Sequence, residues 1–289
     1  MRKLPVFASV GEVLSGVTRH YFQLLFAAWP AVLVLLAAAG LLVWVYDSIG
    51  YFAAFTANDG GPDLAAIAAA AELINAGGNV WKVYGAQLLM ALASAVAAVR
   101  WHRLVLLGEG ANGDGGVIGL RREDGTYLFA LLKIVLLAAC GLVLFIPATL
   151  LLAMTDSVAI KIAASFLFLF LYFMAIGMWL RLSLALPDAS VGAGGRVFAV
   201  FRASSGNTWR MLGVSLLLAL IAIIVIIAIF ALVGAAGFAS VSSSPAILAA
   251  TVVIYLAVYL YFLMTQITML SVAYREIVGL PGGQAAQEA

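Results

Sequence analysis

The side chains with chemistry to offer are few, and most stand near the ends of apolar runs. Arg103, Arg181 and Arg275 each close such a run, in VRWHRLVLLGE, MWLRLSLALPD and VAYREIVGLPG, and Arg100 stands one turn before Arg103. A guanidinium makes a planar, two-pronged contact with phosphate. If these segments pack around a common axis, the arginines Arg100, Arg103, Arg181 and Arg275 converge on lipid phosphate. The alternative is that they serve as orientation anchors, a role that Lys fills equally well. Inside the runs, Gln87, Thr265 and Gln266 either bond neighbouring helices or line a polar path.

Other chemistries lack their residues. None of the 13 acidic residues lies in the middle of an apolar run, which weighs against a proton-coupled carrier. His20 and His102 each sit close to an Arg near a run's end and are expected to meet headgroups or water. The chain has no HExxH, no Cys/His cluster, no GxSxG and no GxxxxGK[ST]. The GANGDGG stretch between Gly108 and Gly125 has no strand before it and reads as a flexible turn. Asp114, Glu123 and Asp124 lack the spaced aspartates of the CDP-alcohol phosphotransferases and read as solvated loop charges. The lone Cys140 lies in an apolar run as a packing residue, so no disulfide framework exists within the chain. No catalytic residue, cofactor or metal is expected, and the protein reads as non-enzymatic.

The elements that position these residues follow from composition. Of 289 residues 65% are hydrophobic and 10% charged, and the mean hydropathy is +1.15. Soluble domains carry about 25% charge, so water is the wrong solvent for most of this chain. Six segments reach the roughly 20 apolar residues a bilayer requires. They are Trp29–Tyr46, Val80–Val99, Tyr127–Met154, Val158–Leu180, Trp209–Phe238 and Pro245–Tyr274. The runs are continuous, so the expected fold class is all-α, a polytopic membrane protein of six helices in three hairpins.

Six spans put both termini on one side. Of the 15 Lys and Arg residues, only Lys82 and Lys161 then fall on the other. The positive-inside rule makes the terminal side cytoplasmic, N-in and C-in. The opening MRK is followed by Glu12, Arg19 and His20 with no continuous apolar core, so it reads as an uncleaved signal-anchor.

Before the first span, Phe7, Val10, Leu14, Val17, Tyr21, Leu24 and Ala28 recur every three or four residues. That spacing predicts an amphipathic helix at the cytoplasmic interface, turning into the membrane at Trp29-Pro30; one long tilted helix is the alternative. Similar lead-ins, DGTYLFALL and GNTWRMLG, precede the third and fifth spans, placing Tyr127 and Trp209 level with Tyr21. The 289 residues form a single membrane domain with candidate repeats at 5–110, 111–189 and 190–281, and a flexible tail at 282–289. The general enrichment of aromatics and Arg at inner interfaces is the competing explanation of that likeness. Between Asp47 and Lys82, PDLAAIAAAAELINAGG predicts a short external helix.

The opening segment VFASVGEVLSGVTRHYFQLLFAAW resembles bacterial six-helix membrane proteins named after the membrane domain of glycerophosphoryl diester phosphodiesterase, and related uncharacterised families. The resemblance implies the six-span layout and a bacterial inner-membrane setting. It implies no catalysis, because the spans leave no length for the soluble phosphodiesterase barrel. The expected function is that of a scaffold, lipid-associating factor or accessory subunit. The alternative is a small transporter or channel with a polar path near Gln87 and Gln266. Membrane lipids and other membrane subunits are the expected partners, and a net charge of +2 gives nucleic acid no purchase.

Overall fold

The computed structural model describes residues 3–49, 64–76, 79–108, 120–155, 157–235 and 245–280. The GANGDGG stretch, residues 240–244 and the tail at 282–289 lie outside them. Every regular element among the described residues is helical, and six helices are long and apolar enough to cross a membrane. In chain order the helices are α1 (Val6–Ala27), α2 (Trp29–Ser48), α3 (Leu64–Ala76), α4 (Asn79–Leu107), α5 (Arg122–Leu142) and α6 (Ile146–Met154). They continue with α7 (Val158–Ser183), α8 (Ala185–Ser190), α9 (Val197–Ala203), α10 (Thr208–Ala235) and α11 (Pro245–Ile277).

Ala28 separates α1 from α2, with φ −126° and ψ 19° outside the helical region. The amphipathic segment is therefore a helix distinct from the first span. Its inward face differs from the expected stripe. Ser9, Val13, Val17 and Leu24 are buried, while Phe7 is 82% exposed. The inner stripe, aliphatic apart from Ser9, packs on α11, α10 and α4; the aromatics Phe7, Phe22 and Phe26 are left on the outside. The start of the chain is fixed as well. The Leu4 amide donates to Asn207 Oδ1 at 3.0 Å, and Arg210 Nη1 donates to the Leu4 carbonyl at 2.9 Å.

The third span is not one continuous α-helix. α5 stops at Leu142, a 3-10 turn covers Val143–Phe145, and α6 resumes at Ile146. Pro147 accounts for the break, since its ring excludes the carbonyl of the residue four positions earlier, here Val143, and its nitrogen donates nothing. The fourth span runs past its expected end at Leu180 to Ser183 and, through α8, to Ser190. The predicted external helix is α3, which packs on α4.

Packing is concentrated at one end. The buried core gathers Val17, Leu24, Trp101, Tyr127, Leu184, Met211, Met264 and Tyr274 around the basic ends of the spans. Along α10, by contrast, Leu216, Leu220, Ile223, Ile224 and Ile227 are exposed. In water such a surface would drive association; against lipid chains it is the expected exterior. α2 and α4 pack closely through Ala31, Ala38, Ala86 and Ala93, where small side chains let the backbones approach.

Gly177 on α7 marks another close approach, because a Cβ there would stand 2.6 Å from Thr208 Cγ2 at the start of α10. At Gly141 a Cβ would meet nothing within 4 Å. Gly177→Ala should therefore cost about 1–3 kcal/mol through overpacking, whereas Gly141→Ala should hold or gain stability through helix propensity. Thermal denaturation of both variants in one detergent checks this; equal midpoints would show that α7 and α10 separate without strain.

Candidate functional site

The charged and polar residues gather in a collar at the basic end of the bundle. Among the described residues Arg100, His102, Asp124, Asp188, Ser190, Ser204, Asn207 and Ser271 are buried. Burial of such groups is stable only when they are hydrogen-bonded or paired. The partners come from neighbouring chain segments.

Each arginine that closes a hairpin grips a segment leading into another one. Arg103 Nη1, at the end of α4, donates to the Ser190 carbonyl at 3.1 Å and lies 3.7 Å from Glu123 in the first turn of α5. Arg181, at the end of α7, donates to the Phe201 carbonyl at 2.6 Å and to Ser204 Oγ at 3.2 Å. Its guanidinium also lies 3.8 Å from the centre of the Phe201 ring. Arg275, at the end of α11, returns to α1, where its Nη2 contacts the Glu12 carboxylate oxygens at 2.6 and 2.8 Å. The first segment is thus tied to the second, the second to the third, and the third back to the first. Arg100 is a fourth case, paired at 3.7 Å with Asp124, whose other contact is the Arg121 amide at 2.7 Å. The four arginines engage different partners.

Among the described residues Asp188 is the most enclosed carboxylate, with no exposed surface. It accepts from the Arg196 amide at 3.0 Å, Arg196 Nη2 at 3.2 Å and the Tyr274 hydroxyl at 2.9 Å. The VGAGGR turn makes this possible. Gly195 adopts φ +61°, and a Cβ there would sit 3.1 Å from Ala130 Cβ and 3.2 Å from Ala189 Cβ. Only Gly lets the chain pass so close and reverse so sharply. The bond and the negative charge of Asp188 raise the Arg196 guanidinium above its ordinary range. Sequence reasoning missed Asp188; the signal was a Pro-Asp at a span's end followed by a glycine turn and Arg196.

His102 was expected at a wet interface and is fully buried instead, its Nδ1 2.7 Å from Ser271 Oγ and its ring 5.9 Å from that of Tyr127. Its neighbour Trp101 donates Nε1–H to the Leu24 carbonyl of α1. Tyr21 donates to the Ala257 carbonyl at 3.3 Å, and burial raises its phenol above the usual range. Of the amide and hydroxyl candidates, Thr265 is buried and donates to the Tyr261 carbonyl within its own helix at 2.8 Å. Gln87 and Gln266 are exposed on the outer faces of α4 and α11.

Two cavities adjoin the collar. One, of about 310 Å3, lies between α1, α4 and α11, with Glu12, His20, Gln23, Thr268 and Arg275 on its walls. The other, of about 320 Å3, is an apolar groove between α2 and α4 that ends at Arg100. Neither is lined by Gln87 or Gln266. Among the described residues no three His, Cys, Asp or Glu side chains are grouped to hold a metal ion. Fold and collar together define a polytopic, all-α membrane protein with six spans whose packing is fixed at one end. No family model matches the chain, and no curated protein and no solved structure matches it.

The collar gives an order of stabilities. Asp188→Ala removes the acceptor of three bonds and strands the Tyr274 hydroxyl, which is 1% exposed. The stranded hydroxyl is expected to cost about 1–3 kcal/mol, added to the loss of the bonds from Arg196. Tyr274→Phe removes one charge-assisted bond and should cost about 1.5–3 kcal/mol. Arg196→Ala should cost least, because its amide still serves Asp188 and its side chain is 60% exposed. Unfolding midpoints in graded SDS rank the three; a reversed order would remove Asp188 from the centre of the collar.

Proposed function

We propose that the protein is a non-enzymatic, multi-pass protein of a bacterial inner membrane, with both termini cytoplasmic, acting as a lipid-associating scaffold or accessory subunit. The observation that carries this reading is the two-sided use of α1. One face is bonded to the bundle, and the other turns Phe7, Phe22 and Phe26 outward. Exposed aromatics on a helix beside the spans suit the headgroup region, where their rings bury apolar area at the edge of the bilayer.

The accessory-subunit part of the reading draws on Gln87 and Gln266. An amide facing hydrocarbon without a partner is unfavourable, and a second membrane helix supplies one. A small transporter or channel would instead use these residues along a polar path. The two readings separate cleanly by experiment. Gln87→Leu with Gln266→Leu should release a co-purifying membrane subunit in mild detergent, followed by mass spectrometry. Loss of solute flux in proteoliposomes, with co-purification unchanged, would favour the transporter and sink the scaffold.

Orientation has its own test. After Cys140→Ser, a cysteine at Asp59 should react with an impermeant maleimide in intact cells, and one at Asn112 should be shielded. Labelling at Asn112 from outside would overturn the cytoplasmic placement of the termini.

A further inference from the structure

We propose that the cavity between α1, α4 and α11 holds the headgroup of a zwitterionic phospholipid with a primary amine. Glu12 takes the ammonium, Arg275 the phosphate, and Thr268 an ester carbonyl of the glycerol. This assignment rests on the lipid-associating reading and gives it a site.

The position comes first. The walls are Leu104, Val105 and Gly108 at the end of α4, Thr268, Val272 and Arg275 near the end of α11, and Gly16, His20, Gln23 and Leu24 of α1. Both spans reach this level through apolar windows and finish in charge. Along α11 the lining runs inward from Arg275, beside Glu12, through Val272 to Thr268, with Leu104 and Val105 contributed by α4, so a charged mouth gives way to an apolar wall with one hydroxyl at its deep end. At about 310 Å3 the space is at the lower end of the range of small-molecule sites.

Charge selects the ligand. Glu12 and Arg275 share the cavity, so a purely anionic group meets the carboxylate and a purely cationic one meets the guanidinium. A zwitterion satisfies both. Arg275 Nη2 contacts Glu12 and Glu276, and its Nε contacts Glu276, which leaves Nη1 for a phosphate oxygen. The Glu12 oxygens each accept one bond from Nη2, and a carboxylate has about four acceptor positions, so an ammonium can share it. A primary amine donates N–H bonds to these acceptors; a quaternary amine has none to donate.

Thr268 supplies an observation independent of the charges. It is 4% exposed, lines the cavity, and its Oγ1 has no hydrogen-bond partner among the described residues. A buried hydroxyl of this kind is unfavourable unless something occupies the space beside it. An ester carbonyl below the phosphate is an acceptor of the right chemistry.

The test uses the full chain in nanodiscs containing phosphatidylglycerol with either phosphatidylethanolamine or phosphatidylcholine. Retained lipid is counted by native mass spectrometry after transfer to detergent. Wild type should retain phosphatidylethanolamine about tenfold over phosphatidylcholine, and Glu12→Gln should lose that preference, as expected for one charge-assisted bond. Thr268→Val keeps the ion pair and the volume, so it should cut the retention without lowering the melting temperature. A hydroxyl that is only a packing feature would leave the retention unchanged. Equal retention of the two lipids by wild type, or an unaltered preference in Glu12→Gln, would overturn the site while leaving lipid association standing. Displacement by excess free phosphoethanolamine would assign the cavity to a soluble molecule and overturn the lipid. Absence of any retained phospholipid would bring down the lipid-associating reading itself.

Discussion

The carboxylate of Asp188 joins three parts of the chain that are far apart in sequence or separated by a turn. α8 carries it, the glycine turn brings the Arg196 amide and guanidinium to it, and Tyr274 reaches it from the last helix. An unpaired buried charge would cost several kcal/mol, so the three contacts have to form together. Lipid chains are as apolar as leucine and give spans little cause to prefer one arrangement over another. A buried polar junction supplies that preference. The remaining core, from Leu184 to Met211 and Tyr274, fills in around it.

The same physics explains the arginine contacts. A partly exposed pair such as Arg275–Glu12, with side chains 35% and 45% exposed, contributes about 0–1 kcal/mol. Its worth lies in direction, because it ties the last span to the first helix. Arg181 is more specific: its planar group donates to the Phe201 carbonyl and Ser204 while lying on the Phe201 ring. Lysine would keep the positive-inside bias and lose the fork and the stacking.

Much of the architecture was legible because hydropathy acts over 20 or more residues and averages out detail. The spans rest on such averages, while α3 and the separate lead-in helix rest on shorter periodic patterns and their end signals. What escaped was local or long-range. Pro147 breaks the third span by a steric conflict of one residue with Val143, which a window cannot register. The inward stripe of α1 depends on which neighbours it meets, and those come from α4 and from two helices beyond residue 200. His102 looked like an interfacial group because its partner Ser271 is far away in sequence, and Asp188 drew no notice because Tyr274 is equally remote. Small residues hid the tight contacts as well, since Gly177 and Gly195 carry no hydropathic signal for the surfaces they touch.

The partners of the N-terminal segment set a timetable for assembly. Leu4 bonds to Asn207 and Arg210, and Glu12 to Arg275, across sequence separations of 203, 206 and 263 residues. At synthesis rates of about 5–20 residues per second, the first helix leaves the ribosome tens of seconds before its final neighbours exist. During that interval its inner stripe can meet α4 but lacks α10 and α11. On the lipid-associating reading, the outward Phe7, Phe22 and Phe26 would hold it on the bilayer surface, close to the emerging spans. Docking of α1 is then the closing event of biogenesis, and a chain truncated before the sixth span would leave that helix on the lipid with part of its inner face open.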